Sequence, residues 1–137
     1  MNTSEMKAVC RKLFDAITVG DVEALRAIFT QDTQWWMPPS GGDRYERPLR
    51  GGDRVADLVS GKLLQSFQPG TTTWTIMHMT AEDDHVAVLA NRRAVAASNG
   101  ADYYNEYHLL FRFEDGLIAE SWEVVDTSHA QKIFTQK

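Results

Sequence analysis

The hydrophobic period of this chain changes once, at Pro69-Gly70, and that change limits the folds open to it. Before it, apolar residues recur at helical spacing: Met6, Val9, Cys10, Leu13, Phe14 and Ile17 form one stripe. Thr3 or Ser4 can cap its start, and Gly20 ends it. Asp21 then caps a second helix carrying Val22, Leu25, Ile28 and Phe29. Residues 32–37, DTQWWM, read as a short strand broken by Pro38-Pro39. Asp53 caps a third helix with Val55, Leu58, Val59 and Leu63 on one face. After Gly70 the period is two, with strands expected at roughly 71–80, 85–97, 103–113 and 117–126. Their connections are too short for parallel crossovers, so they form an antiparallel meander. Helices first and sheet second make an α+β fold, with the helices covering one face of a curved sheet.

A chain of 137 residues with 43% hydrophobic content is expected to be one globular domain, 1–137. A net charge of −5 with scattered Lys and Arg argues against nucleic acid. No apolar run is long enough for a membrane span, and the first residues lack a signal-peptide core. With one cysteine, Cys10, on an apolar helix face, a cytoplasmic protein fits. Four histidines without clustered spacing make no metal site. Neither a phosphate loop nor a nucleophile elbow occurs. The Gly41-Gly42 and Gly51-Gly52 pairs suggest a mobile lid over a pocket mouth.

The hairpin from Tyr103 to Asp126 carries the functional signal, because ionisable residues alternate with apolar ones there. Asn105, Tyr107, Leu109, Phe111 and Phe113 share the more apolar face, which belongs under the helices. A two-residue turn at Asp115-Gly116 would set Glu123 opposite His108, on the outside. A three-residue loop, Glu114-Asp115-Gly116, would instead pair Tyr107 with Glu123 and Leu109 with Ser121. We choose the second. Ala119, Ser121, Glu123 and Val125 then point inward, and Ile118, Glu120, Trp122 and Val124 outward. An apolar outer face needs a cover, which a second copy of the chain supplies as a homodimer. One bulge at Gly100 would place Arg92, Tyr107 and Glu123 in a single row. Trp74, Ile76 and His78 would join that face from the first strand of the meander.

The motif order resembles the SnoaL-like and ketosteroid-isomerase-like branch of the nuclear-transport-factor-2 (NTF2-like) superfamily. The resemblance runs through the Gly20-Asp21 cap, the DTQW strand ending in proline, RGGDRV at 50–55, and FRFEDGLI at 111–118. It implies a cone-shaped α+β barrel with a deep pocket, often dimeric through the outer sheet face. It also implies losses. The ketosteroid isomerase set falls on Leu13, Met37 and Leu109, all apolar. The limonene-epoxide-hydrolase set falls on Arg92, Ala90 and Glu123, with Trp35 and Met37 where its water-holding groups stand. Cyclases of the SnoaL type place an acid near Glu123 or Asp126.

The expected catalytic residues are therefore Glu123, His78, Tyr107 and Arg92. Glu123 is the acid–base group, tuned upward by burial and downward by Arg92. The expected ligand contacts are Phe14, Trp35, Met37, Trp74, Asn105, Leu109 and Ser121, an aromatic-walled site for a small hydrophobic molecule with no cofactor. Isomerase, dehydratase and cyclase chemistry all fit. The rival reading is a binding or accessory protein that sequesters its ligand unchanged.

Overall fold

A computed structural model describes residues 1–40 and 46–137. Its elements run α1 (Thr3–Val19), α2 (Val22–Arg26), β1 (Phe29–Trp36), β2 (Leu49–Arg50), α3 (Gly52–Val59), β3 (Thr73–Glu82), β4 (His85–Val95), β5 (Asp102–Glu114), β6 (Leu117–Val125) and α4 (Thr127–Phe134). The expected meander is present as β3 to β6. It extends into one six-stranded sheet of order β2-β1-β6-β5-β4-β3 because β1 lies parallel to β6.

Helix α1 starts from a capping box between Asn2 and Glu5, not from Thr3 or Ser4. It ends, as expected, on Gly20 at φ +70°. Its stripe of Met6, Cys10, Leu13, Phe14 and Ile17 is buried against the concave face of the sheet. Asp21 caps α2 as expected, its side chain accepting from the Ala24 N–H at 3.1 Å. Helix α3 is capped by Gly51 rather than Asp53. The Gly51-Gly52 pair is a packed helix start, because a Cβ on Gly52 would sit 2.9 Å from the Thr30 carbonyl oxygen. That contact argues against a lid there, and Gly41-Gly42 lies outside the described residues.

The β5–β6 hairpin corrects the loop expectation. Glu114 pairs with Leu117, so the turn is the two-residue Asp115-Gly116, with both φ angles positive at +51° and +83°. That turn alone would face Glu123 outward. A bulge restores it: Phe113 pairs with Ile118 and Arg112 with Glu120, leaving Ala119 as the extra residue. The bulge is pinned from β1, where the buried Thr33 hydroxyl donates to the Ile118 carbonyl at 2.9 Å. Glu123 therefore points inward, paired with Leu109 rather than with Tyr107. Ile118, expected outside, is fully buried.

The same arithmetic shifts β4. No bulge interrupts its pairing with β5, so Arg92 sits opposite Asn105 and Ala90 opposite Tyr107. Arg92, Tyr107 and Glu123 step diagonally across the sheet instead of forming one row. Beyond the strands, residues 127–134 form α4, where sequence offered only a tail. No helix of the described residues is long and apolar enough to cross a membrane.

Candidate active site

The sheet bends under the helices to enclose a cavity of about 620 Å³. That volume suits a drug-sized ligand. Trp35, Met37, Trp74, Arg92, Tyr107, Leu109 and Glu123, all expected, line it. Residues of the segment after α3 and of α4 close the other side, Phe67, Gln131 and Phe134 among them.

Glu123 sits in the third inward row of β6, diagonal to Trp35, which pairs with the neighbouring Ser121. The Trp35 indole Nε1–H donates to Glu123 Oε1 at 3.1 Å. Burial pushes the Glu123 carboxyl above its ordinary value, and this outweighs the opposing pull of the Trp35 hydrogen bond and of Arg92. Among the described residues Arg92 and Glu123 form no direct ion pair. The carboxyl is thus held by one neutral donor and leaves its other oxygen to the cavity.

Arg92 is fixed differently. Its guanidinium lies 4.2 Å from the Phe67 ring centroid and 5.1 Å from that of Trp74. Its Nη2 donates to Thr72 Oγ1 at 3.0 Å. Stacked between two aromatic faces, it keeps its charge at the pocket wall with little freedom to swing. Trp74 in turn packs edge-on to Tyr107, with centroids 5.0 Å apart. Tyr107 and Tyr103 share a hydroxyl–hydroxyl hydrogen bond of 2.7 Å. Burial raises both phenols above their ordinary value, Tyr107 strongly.

Three expected ligand contacts stand one layer back. Phe14 does not line the cavity; its ring meets Trp74 at 5.0 Å and buttresses that wall from α1. Asn105 is buried and ties Tyr103 to the Asp126 carbonyl. Ser121 is fully buried beneath Trp35, its hydroxyl without a partner among the described residues.

His78 is on the wrong face. A bulge at Met77 sets Ile76 opposite Ala90 but His78 opposite Leu89, turning the imidazole to the outer side. There it lines a shallow apolar depression with His108, Leu110, Trp122 and Val124. The tryptophan pair also splits, since Trp36 faces outward and donates to Glu120 Oε2 at 2.8 Å. Asp126 caps α4 by accepting from the His129 N–H at 3.0 Å. Among the described residues no cluster of three His, Cys, Asp or Glu side chains could hold a metal.

Tyr103 and α4 lie outside the expected site and also line the cavity. Tyr103 continues the inward parity of Asn105 and Tyr107, so its place was readable. The cap and the apolar spacing of α4, Asp126 then Ala130, Ile133 and Phe134, were also in the sequence, but in a segment short enough to pass for a tail.

Solved structures share this architecture. An NTF2-like protein of unknown function from Burkholderia pseudomallei superposes with a TM-score of 0.83 at 18% identity, over 98% of this chain and 100% of that one. IdmH, a proposed polyketide cyclase from Streptomyces antibioticus, gives 0.75 at 22% identity, over 95% and 98%. An epoxide hydrolase of M. tuberculosis, like limonene-epoxide hydrolase, gives 0.72 at 18%, over 96% and 90%. At such identities these likenesses establish the cone-shaped NTF2-like fold. A comparison with curated proteins gives no match. The SnoaL-like domain family matches residues 10–121, from the middle of α1 into β6, and the chain belongs to that family.

Proposed function

We propose that this protein is a cofactor-independent acid–base enzyme acting on a small hydrophobic substrate bound in the cavity. Glu123 moves the proton, and Arg92 and Tyr107 stabilise the charge that develops as it does so. The observation that carries this reading is the state of Glu123: an inward carboxyl of raised pKa, steadied by the Trp35 N–H at 3.1 Å and unpaired with Arg92. A carboxyl that gives and takes a proton needs such opposing influences, whereas a structural ion pair would quench it. His78 has no part in this mechanism, since it faces away from the cavity.

Isomerase, dehydratase or cyclase chemistry fits these groups. The likeness to IdmH favours a cyclase-type reaction on a flat, ring-forming substrate, and the aromatic walls suit such a shape. A second reading, ligand binding without conversion, is favoured by the apolar Leu13, Met37, Ala90 and Leu109 at positions where related enzymes carry catalytic groups. Screening aromatic polyketides, terpenoids and steroids by thermal shift and by product analysis separates the two. Consumption that falls about 10²-fold in Glu123→Gln supports the enzyme. Stabilisation without conversion supports the binder and sinks the enzyme.

A homodimer through the outer sheet face belongs to the same proposal. Leu110 and Val124 are 36% and 59% exposed there, and a second copy would cover them. A cytoplasmic setting fits the single buried thiol of Cys10.

A further inference from the structure

Arg92 carries the one permanent charge among the described residues that line the cavity, and no side chain there pairs with it. The ion pairs among the described residues use Arg26, Arg54, Arg112 and His85, never Arg92. Glu123 is the only carboxyl of that lining, and burial shifts it towards its neutral form. A chain of net charge −5 thus keeps an unpaired cation inside its pocket.

Stacking on Phe67 and Trp74 offsets part of the cost of burying a guanidinium but supplies no counter-ion. Of the N–H donors on that fork, one meets Thr72 Oγ1. The Nε–H is buried without an acceptor among the described residues. So is the indole Nε1–H of Trp74, in the ring stacked on the guanidinium. Buried donors without acceptors are costly and rare, so two on one wall point to an acceptor that arrives with the ligand.

A carboxylate meets that need, being an anion with two acceptor oxygens matched to the planar fork of an arginine. A phosphate would call for further cations or a free helix N-terminus. Among the described residues no lysine or second arginine lines the cavity, and the α4 N-terminus beside it is already capped by Asp126. Along β5 the partners of Arg92 and Glu123 are Asn105 and Leu109. Their separation in sequence, at about 3.4 Å per residue, sets the two rows roughly 14 Å apart. Tyr107 stands between them, and Leu109 and Trp35 adjoin Glu123. We propose that Arg92 anchors a substrate carboxylate, so that the cavity selects a flat hydrophobic acid held with its charged end at Arg92 and its reacting carbon at Glu123. This rests on the reading of Glu123 as the proton-moving group and names the substrate class for it. Arg92 then meets a charge present on arrival as well as any that develops later.

The test compares 2-naphthoate with its neutral isostere 2-naphthamide by titration calorimetry at pH 7. Wild type should bind the naphthoate about 10- to 100-fold tighter, the scale of hydrogen bonds to a charged partner. Arg92→Met should abolish that preference. Arg92→Lys should retain part of it, since an ammonium keeps the charge but loses the planar fork. Bound naphthoate should also raise the Glu123 midpoint read by NMR, because it neutralises the guanidinium that holds this carboxyl down, and naphthamide should not. Both wild-type readouts stand even if Arg92→Met melts early. Wild type that binds naphthoate no better than naphthamide, or not at all, would overturn the proposal. So would an unmoved Glu123 midpoint, or a preference that survives Arg92→Met in a protein of unchanged melting curve. Glu123→Gln should keep the preference. Turnover that does not depend on Glu123 would therefore count against the enzyme reading, and an absent carboxylate preference against the anchor.

Discussion

Replacing Trp35 by Phe isolates the one hydrogen bond on which the state of Glu123 turns. The indole N–H donates to Glu123 Oε1 at 3.1 Å, and among the influences that lower this carboxyl's pKa it outranks Arg92. A hydrogen bond to a charged group is worth about 1.5–3 kcal/mol. At 3.1 Å this one is longer than the 2.7–2.9 Å of a strong charge-assisted bond, so the lower figure applies. About 1.5 kcal/mol corresponds to roughly one pH unit. The bond favours the carboxylate, so losing it moves the midpoint upward. Titration of ¹³C-labelled glutamate side chains by NMR reads the change without any substrate. We expect the Glu123 midpoint to rise by about one pH unit in Trp35→Phe and by less in Arg92→Met. An unchanged or lowered midpoint in Trp35→Phe would refute the assignment of Trp35 as the group that sets this carboxyl.

The folded-state pKa of Glu123 lies above its unfolded value, so the group favours folding most below about pH 4, near the ordinary glutamate pKa, and loses that contribution as pH rises through the folded value. Glu123→Gln should therefore melt at higher temperature than wild type at neutral pH, with the gap closing in acid; a gap independent of pH contradicts this. Burial pushes the Cys10 thiol up to about 12, so a thiol reagent should label the folded protein negligibly and the denatured protein once. Leu110→Glu on the outer face should convert a dimer to monomers by sedimentation while leaving ligand binding in the cavity unchanged, and a wild-type monomer would remove the dimer proposal.

Period was readable from sequence; parity was only partly so, and row was not. The switch of period after Gly70, the four strands and the inward parity of Tyr107 follow from side-chain alternation, and the Gly20 stop from its place after the helical stripe, whereas the inward parity of Arg92 and Glu123 hung on the length of the loops beside them. Which residues stand side by side depends on single-residue insertions that alternation cannot reveal. The bulge at Ala119 lies in the apolar run Leu117-Ile118-Ala119, where any of the three could turn inward. A two-residue turn plus that bulge preserves the parity of a three-residue loop while sliding the ladder by two. At Met77 a similar insertion reversed the expectation for His78, because no second bulge compensates it. The Trp35–Glu123 bond joins residues 88 apart through a parallel pairing of β1 and β6, and local pattern carries no record of such a pairing.

The most direct test of the central claim is the pH dependence of kcat/KM for any substrate found by screening, set beside the NMR titration of Glu123. We expect the acid limb of the profile to share the Glu123 midpoint and to move upward with it in Trp35→Phe. A profile that stays in place while the carboxyl's titration moves would contradict the assignment of Glu123 as the group that transfers the proton.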